Sequence, residues 1–280
     1  MDRRMFSRGA GSVSYLTTPG EGTPVVLVHG MSLEAADWIP VAEAVGRRPW
    51  LALDLPGHGL SEHQPAYSHI SDCEALVAFL SEVAGPAVVV GHSRGGQVGG
   101  LAAALRPDLV LGLFLEDVTP LFFEEARNRD LPFIRSVFRV GSLSEQLQQE
   151  GRTAEWLSVQ IAGLANDRRA TIGDRLPAAA IARWATAASR MDAAMFGAKG
   201  SFGPPPLSSA EQLARITCPL HLAHGDEESG SIVTASEREW LFAGHGDATS
   251  TRYAGAGHML HAERQVDFAA DLGAFLDRVP

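Results

Sequence analysis

The 280-residue sequence predicts an α/β protein in which helices cover a mostly parallel sheet. Short apolar runs alternate with amphipathic stretches up to residue 119, and this alternation returns after residue 213. The runs at 24–29 and 87–91 are rich in Val, as expected for strands buried on both faces. Between the two regions, strand patterns are lacking and helical patterns dominate, which predicts an inserted helical module.

The individual elements of the sheet region can be predicted in chain order. Strands are expected at 12–17, 24–29, 50–55, 87–91, 109–116, 219–225 and 248–255. Helices are expected at 34–45, 69–84, 94–105, 234–243 and 260–278. The helix at 69–84 places Cys73, Leu76, Val77 and Leu80 on one stripe. The helix at 94–105 ends at Arg106-Pro107, because the residue before a proline disfavours helical geometry.

The inserted module covers residues 120–212 and divides the chain into a core, 1–119 and 213–280, and a cap. Helical patterns at 153–165 and 177–196 are separated by Gly and Pro, notably at 200–209. Most large apolar residues of the cap are expected to pack its interior: Phe122, Phe123, Phe133, Phe138, Trp156, Trp184, Met191, Met195 and Phe196. Trp156 and Trp184 are also candidates to line a substrate pocket, since ligand pockets are largely apolar.

Composition excludes several classes of protein. The formal charge is −10 and the arginines are scattered, so no nucleic-acid partner is expected. No apolar run approaches the roughly 18 residues of a membrane span, and the N-terminal stretch lacks the apolar segment of a secretory signal. Cys73 and Cys218 do not fit a disulfide framework or a zinc site. We therefore expect a cytoplasmic protein without a membrane partner or a metal.

The strongest chemical signal is Gly91-His92-Ser93-Arg94-Gly95-Gly96, which matches G-x-S-x-G between a predicted strand and a predicted helix. This context predicts a sharp turn that lifts the Ser93 hydroxyl clear of the sheet. The small flanking residues avoid collisions within the turn. The N-terminus of the following helix favours developing negative charge beside the serine.

A second signal lies near the C-terminus, where Gly255-Ala256-Gly257-His258 follows the last predicted strand. A histidine on a loop flanked by glycine can approach a serine without steric cost. His258 also fits the chain order Ser, acid, His. His261 is the nearest competitor, but it is expected to face solvent or to cap the turn at the start of the last helix.

Two further motifs complete the set. His29-Gly30-Met31-Ser32 ends the strand at 24–29, and the His29 side chain is expected to shape this loop and not to take part in chemistry. Asp54-Leu55-Pro56-Gly57-His58-Gly59-Leu60-Ser61 predicts a turn that supports the loop after His29.

In this order, the four motifs resemble those of the α/β-hydrolase superfamily. The resemblance covers nearly the whole chain, and residues 120–212 resemble its variable cap. It implies an eight-stranded, mostly parallel sheet, with Ser93 as the nucleophile and His258 as the base. It also implies an oxyanion hole made by the backbone N–H groups of Met31 and Arg94.

The acid of the triad departs from the common pattern of the superfamily. After the strand at 219–225, the position usually held by Asp is Glu228, and the nearest Asp is Asp226. Some members place the acid after the earlier strand, which here ends at Glu116-Asp117. We predict Asp117 as the acid, with Glu228 and Asp226 as alternatives.

The predicted function is a serine hydrolase that cleaves a hydrophobic ester or lactone through an acyl-enzyme, without a metal or an organic cofactor. Alternatives on the same triad are a carbon–carbon bond hydrolase and a cofactor-free perhydrolase. A ligand-binding member of the fold without activity is a third alternative. The sequence does not indicate the oligomeric state.

Overall fold

An eight-stranded sheet forms the centre of the computed structural model, which describes residues 1–8, 11–123, 131–200 and 206–279. The strands are β1 (Asp2–Arg8), β2 (Gly11–Thr18), β3 (Val25–Val28), β4 (Trp50–Leu53), β5 (Ala87–His92), β6 (Val110–Glu116), β7 (Leu220–His224) and β8 (Ala248–Arg252). Their order is β1-β2-β4-β3-β5-β6-β7-β8. Strand β2 is antiparallel to β1 and β4, and all later pairs are parallel. The predicted eight-stranded, mostly parallel sheet is confirmed.

Helices follow most of the strands. They are α1 (Ile39–Val45), α2 (His69–Phe79), α3 (Arg94–Leu105), α4 (Pro132–Glu150), α5 (Ala154–Ala162), α6 (Ile172–Arg175), α7 (Ala178–Arg190), α8 (Ser209–Arg215), α9 (Ala235–Gly244), α10 (Leu260–Glu263) and α11 (Gln265–Leu276). Within the described residues, no helix combines the length and the apolar character needed to cross a membrane.

Alternation of side chains along the strands divides the sheet core into two layers. On β3, Val26 and Val28 face an apolar cluster covered by α2, α3, α8 and α9. Val25 and Leu27 face the opposite cluster, which α1 and α11 cover. All four residues are fully buried, which explains why this strand is an unbroken apolar run.

Helices α4 to α7 enclose a third apolar cluster, which lies in the segment 120–212. Trp184 and Leu157 are central to it, and Leu33 and Met259 join it from loops outside the segment. The apolar interior of this segment is therefore continuous with the loops at one edge of the sheet. The side chains of Phe122 and Phe123 and residues 201–205 of the Gly/Pro stretch lie outside the described residues.

Three elements differ from their predictions. Strand β1 was not predicted, because its polar sequence has no clear alternation and it becomes a strand only by pairing with β2. The predicted helix at 34–45 starts as a 3-10 turn, Ala35–Trp38, before α1. The predicted helix at 260–278 is broken at Arg264, whose backbone is not helical (φ −134°, ψ 45°).

Candidate active site

Four parallel strands end at one edge of the sheet, and the loops that follow them lie side by side at that edge. Val28 of β3 lies opposite Gly91 of β5, and His92 lies opposite Glu116 of β6. Glu116 lies in turn opposite Ala223 of β7. The carboxyl ends of β3, β5, β6 and β7 are therefore level, which is where open α/β sheets place their ligands.

The turn between β5 and α3 holds Ser93 in a strained backbone conformation, with φ 51° and ψ −119°. A Cβ on Gly91 would lie 2.5 Å from the carbonyl oxygen of Gly95, and a Cβ on Gly95 would lie 2.1 Å from that of Val28. Both positions therefore require glycine. Helix α3 begins at Arg94, so its N-terminus lies beside the partly exposed serine.

The loop after β3 packs directly against this turn. A Cβ on Gly30 would lie 3.3 Å from the Cβ of Ser93 and 2.6 Å from the Nδ1 atom of His92. The predicted oxyanion donor Met31 is the next residue, and it is partly exposed. Glycine at position 30 thus allows the loop to approach the serine.

The side chain of His29 orients this loop from below. Its Nδ1–H donates to the carbonyl of Gly30 at 2.7 Å, and its Nε2 accepts from the backbone N–H of Leu55 at 3.0 Å. Burial lowers the pKa of His29 in spite of the nearby Asp54 carboxylate, so the ring is neutral and can make both bonds. The prediction that His29 shapes the loop is confirmed.

The predicted turn at 54–61 contributes a second support. The backbone N–H of Ser32 donates to Nε2 of His58 at 3.3 Å, while Nδ1–H of His58 donates to the carbonyl of Pro56 at 3.2 Å. Burial, together with the adjacent His29 ring, holds the pKa of His58 well below its usual value. The turn therefore holds the loop beside β3 through a neutral imidazole, as expected from its sequence.

His258 is paired with Asp117. The Nδ1–H of His258 donates to Oδ2 of Asp117 at 2.7 Å, and both side chains are buried. Asp117 also accepts from the backbone N–H groups of Gly225 and Ile232, at 3.2 and 2.9 Å, and from the hydroxyl of Ser231 at 2.5 Å. Four donors stabilise this carboxylate, and the pairing leaves Nε2 of His258 unprotonated in the neutral ring.

The two alternative acids lie elsewhere. Asp226 accepts from Nε–H of Arg252 at 2.7 Å and from the backbone N–H of Gly255 at 2.9 Å. The hydrogen bond from Arg252 holds the pKa of Asp226 below its usual value. Glu228 is exposed. The structure therefore brings Asp117 to His258, and it uses Asp226 to anchor the start of the loop that carries the histidine.

The ring of His258 lies between two other rings. Its centroid is 4.7 Å from that of Phe133 on α4 and 4.7 Å from that of His92. Nε2–H of His92 donates to the backbone carbonyl of His258 at 3.1 Å. Burial and the neighbouring imidazoles hold the pKa of His92 well below its usual value, so His92 is a neutral support. The sequence analysis missed this role.

The prediction that His261 faces solvent or caps a turn is wrong. His261 is buried, its Nδ1 lies 2.8 Å from Oε1 of Glu116, and its Nε2 lies 2.7 Å from Oδ2 of Asp37. Glu116 also accepts from the backbone N–H of His261 at 2.9 Å. Two consecutive residues, Glu116 at the end of β6 and Asp117 after it, therefore hold two nearby histidines: Glu116 contacts His261 on α10, and Asp117 contacts His258 on the loop before it.

The side chain of Arg94 points away from the serine and forms a buried ion pair. Its Nε–H donates to Oδ2 of Asp72 on α2 at 2.6 Å. Burial raises the pKa of Asp72, and the guanidinium opposes this shift. The pair ties α2 to the first turn of α3, so the side chain anchors the helix whose N-terminus faces the serine.

The two predicted pocket tryptophans have different surroundings. Trp184 is buried, and its Nε1–H donates to the hydroxyl of Ser32 at 2.8 Å. Trp156 is partly exposed on the cap cluster, with the guanidinium of Arg152 lying 5.8 Å over its ring. Trp184 therefore contacts the loop after β3, whereas the described contacts of Trp156 are with Arg152 and the third apolar cluster.

Among the described residues, no cluster of three or more His, Cys, Asp or Glu side chains is arranged to hold a metal ion. Cys73 and Cys218 are both free, and burial raises the pKa of Cys73 to about 12 and that of Cys218 to about 11. Neither thiol is activated as a nucleophile.

A sharp strand–helix turn at a serine, a histidine paired with a buried carboxylate and a parallel sheet together define an α/β hydrolase. Residues 25–272 match the Alpha/beta hydrolase family, so the chain belongs to that family and is a hydrolase.

Curated relatives of the chain include two bacterial esterases. A pimeloyl-[acyl-carrier protein] methyl ester esterase of Chromobacterium violaceum is 27% identical over 94% of this chain and 98% of its own length. An esterase of Mycobacterium tuberculosis is 42% identical over 114 residues, which are 40% of this chain but only 38% of that protein. Among solved structures, E-2-(acetamidomethylene)succinate hydrolase superposes with a TM-score of 0.74 at 20% identity, covering 99% of each chain.

Proposed function

We propose that this hydrolase cleaves a carboxylic ester or lactone of a hydrophobic small molecule through an acyl-enzyme on Ser93. The observation that carries the proposal is the 2.7 Å contact between His258 and Asp117, on loops that meet at the same sheet edge as the strained turn of Ser93. The names of the two curated esterases favour an ester as the substrate.

Acylation begins when Ser93 Oγ attacks the carbonyl carbon of the substrate and Nε2 of His258 takes the hydroxyl proton. The oxyanion of the tetrahedral intermediate accepts hydrogen bonds from the backbone N–H groups of Met31 and Arg94. The C–O bond to the leaving group then breaks, and the leaving oxygen takes the proton from His258. The product of this half-reaction is an ester of Ser93 and a released alcohol, which stays attached to the acyl group if the substrate is a lactone.

Deacylation repeats these steps with water. His258 removes a proton from the water as its oxygen attacks the acyl carbon, and Ser93 leaves with that proton. Asp117 stays ionised throughout, fixes the tautomer of His258 and stabilises the imidazolium that forms in each half-reaction. The support for this role is its burial and its four hydrogen-bond donors.

The segment 120–212 acts in this proposal as a cap over the site. Phe133 of α4 packs on the His258 ring, and Trp184 of α7 bonds to the loop after β3, so two cap helices contact the two sides of the site. The interior of the cap is apolar, which favours a hydrophobic acyl or alcohol group.

The test is the activity and labelling of Ser93→Ala. We expect the wild type to hydrolyse p-nitrophenyl esters and to be labelled by a fluorophosphonate on the peptide that contains Ser93. The Ser93→Ala variant should stay folded, remain unlabelled and lose hydrolysis. Ser81→Ala changes an exposed helix serine and should behave as the wild type.

A substrate panel then separates the related chemistries. Short and long acyl esters, lactones and meta-cleavage diketones are compared for the wild type and Ser93→Ala. Turnover of esters or lactones that is lost in the variant supports the proposal. A folded wild type that is neither labelled nor active contradicts it, and turnover of diketones alone would identify a carbon–carbon bond hydrolase.

A further inference from the structure

Helix α7 of the cap contacts the loop after β3 at three points. Nε1–H of Trp184 donates to the hydroxyl of Ser32 at 2.8 Å. At its end, Arg190 pairs with Glu34 at 3.0 Å. Arg183 approaches Asp37 at 3.6 Å.

These contacts differ in burial. The side chain of Arg190 is 43% exposed and that of Arg183 is 32% exposed, so solvent and salt screen both pairs. Trp184 is 1% exposed and Ser32 is fully buried. The Trp184–Ser32 hydrogen bond is therefore the shielded link between the cap and this loop, and neither group can exchange its partner for water.

Ser32 needs such support because its backbone lies in the left-handed region, with φ 64°. Its polar groups have partners. The hydroxyl donates to the carbonyl of Met31 at 2.6 Å and accepts from Trp184, and the backbone N–H donates to Nε2 of His58 at 3.3 Å. Trp184 thus sets the direction of the hydroxyl, because a hydroxyl that accepts from the indole must point its own proton elsewhere.

Hydrogen bonds from side chains hold two successive carbonyls, those of Gly30 and Met31. The carbonyl of Gly30 accepts from Nδ1–H of His29 at 2.7 Å, on the core side. The carbonyl of Met31 accepts from Ser32 Oγ–H, on the cap side. The N–H of Met31 lies in the same planar peptide group as the carbonyl of Gly30, and the carbonyl of Met31 lies in the next peptide group along the chain. The anchor on Gly30 therefore orients the N–H directly, and the anchor on the Met31 carbonyl limits rotation of the two groups about the Cα of Met31.

We propose that Trp184 is a positioning residue for catalysis. Through Ser32, it holds the backbone N–H of Met31 in the direction that an oxyanion requires, so the cap completes the oxyanion hole when α7 is docked. This inference rests on the proposed function, because it assumes that Ser93 attacks a carbonyl whose oxyanion binds at Met31. It assigns Trp184 to the machinery of the reaction, in place of the pocket lining that the sequence suggests.

The test compares Trp184→Phe with Trp240→Phe, which changes a partly buried tryptophan on α9. Phenylalanine keeps most of the ring packing and removes the indole N–H. We expect Trp184→Phe to lower kcat by about 10- to 100-fold with little change in KM. The reason is that an N–H group pointing in the wrong direction weakens binding of the transition state more than binding of the substrate. Trp240→Phe should stay within about twofold of the wild type in both parameters, since Trp240 packs against the apolar core of the sheet.

A double-mutant cycle with Ser32→Ala identifies the path. If Trp184 acts through Ser32, the variant that carries both changes loses no more kcat than the worse single variant. If the fold-losses in kcat of the two single variants multiply in the double variant, the two residues act independently and the proposal is overturned. A raised KM with unchanged kcat would also overturn it, because that result would make Trp184 a wall of the pocket. If Trp184→Phe does not fold, Ser32→Ala alone decides, since it leaves the indole in place.

Fluorophosphonate labelling separates this proposal from the proposed function. If the wild type is not labelled at Ser93, the proposed function fails, and this inference fails with it. If the wild type is labelled and Trp184→Phe is labelled as fast as Trp240→Phe, the inference alone is overturned. Slower labelling of Trp184→Phe and of Ser32→Ala, measured at a temperature at which both variants are fully folded, is the expected result.

Discussion

Asp117 shows how one residue acquires a role from its surroundings. It follows the last residue of β6 with a left-handed backbone, φ 48°, which turns its carboxylate toward the loop of His258. The hydroxyl of Ser231 and two backbone N–H groups fill its remaining acceptor positions. Hydrogen bonds to an ionised group are stronger than those between neutral groups, so these donors hold the carboxylate firmly in place.

We predict that Asp117→Asn lowers kcat by about 10,000-fold, because an amide cannot stabilise the imidazolium and favours the wrong tautomer of His258. Steady-state hydrolysis of a p-nitrophenyl ester measures the effect. Asp226→Asn and Glu228→Gln are the matched controls and should each cost less than about tenfold, since these carboxylates do not contact the histidine. The reverse ranking would show that the acid was assigned to the wrong strand.

The second histidine, His261 on α10, is held by charge. Burial alone would lower the pKa of His261, but the carboxylates of Glu116 and Asp37 outweigh burial and raise it to about 10. Because the pKa is higher in the folded protein than in the unfolded chain, protonation of His261 favours folding. This contribution is complete below a pH of about 6.5 and disappears as the pH rises toward 10.

We therefore predict that the stability difference between the wild type and His261→Asn shrinks between pH 6.5 and pH 10. Urea unfolding at several pH values in this window gives the free energies of unfolding. The exposed His63→Asn variant is the control, and its difference from the wild type should not decrease in the same way above pH 8. A His261→Asn difference that stays constant or grows with pH would mean that the ring is not held as a cation.

At the scale of elements, α3 uses glycine for two different reasons. A Cβ on Gly95, in its first turn, would lie 2.1 Å from the carbonyl oxygen of Val28, because the helix starts tightly against β3. Gly100, in the middle of the same helix, has no heavy atom outside the helix within 4 Å of the position of a Cβ. The first glycine is required by packing, whereas the second only weakens the helix.

This contrast gives a prediction within one helix. Gly100→Ala should raise the free energy of unfolding by about 0.5–1 kcal/mol, since alanine restricts the unfolded chain and favours helix. Gly95→Ala should lower the stability and should also slow the labelling of Ser93, because either α3 or β3 must shift. Urea unfolding and fluorophosphonate labelling measure the two effects. Equal stability of the two variants would contradict this account of the turn.

The elements themselves follow from local patterns where burial is complete. Strands β3 and β5 were predictable because both of their faces are covered, so each is a continuous apolar run. Strand β1 was not predictable, because its residues are mostly polar and its pairing with β2 depends on a chain reversal that its composition does not show. The break at Arg264 also has no local signal in the sequence.

At the scale of the whole molecule, the cap segment is not separated from the core by a boundary of polar residues. Its apolar cluster contains Leu33, from the loop after β3, Met259, from the loop after β8, and Ala262, from α10. The same loops carry the oxyanion and base residues of the proposed site. Loss of the cap interior would therefore expose apolar residues of the core at the site itself.

We predict that the cap and the sheet unfold together. Urea titration followed by far-UV circular dichroism and by tryptophan fluorescence should give one transition with the same midpoint, as two-state unfolding requires. Hydrogen exchange should show peptides of α5 and α7 losing protection at the same urea concentration as peptides of β3 and β5. Earlier loss in α5 and α7 would instead identify the cap as an independent unit.

The same distinction between local and distant signals applies to the site. Ser93 was predictable because its turn is encoded by glycines two residues to either side, and His258 because glycine precedes it after the last strand. The role of His261 was not predictable from the sequence, since its partners Glu116 and Asp37 lie 145 and 224 residues away in the chain. Ser231 likewise gains a role only because its loop returns to β6.

By itself, the sequence determined the α/β hydrolase fold, the strained turn at Ser93 and the loop that presents His258. Backbone conformation and the alternation of apolar residues are properties of short segments, so a dozen residues are enough to predict them. The three-dimensional structure was needed to establish which carboxylate contacts His258, how His261 is held, and that Trp184 bonds to the loop of Met31. The partner of a buried polar group is whichever distant side chain the fold brings within about 3 Å of it, and no local pattern records that distance.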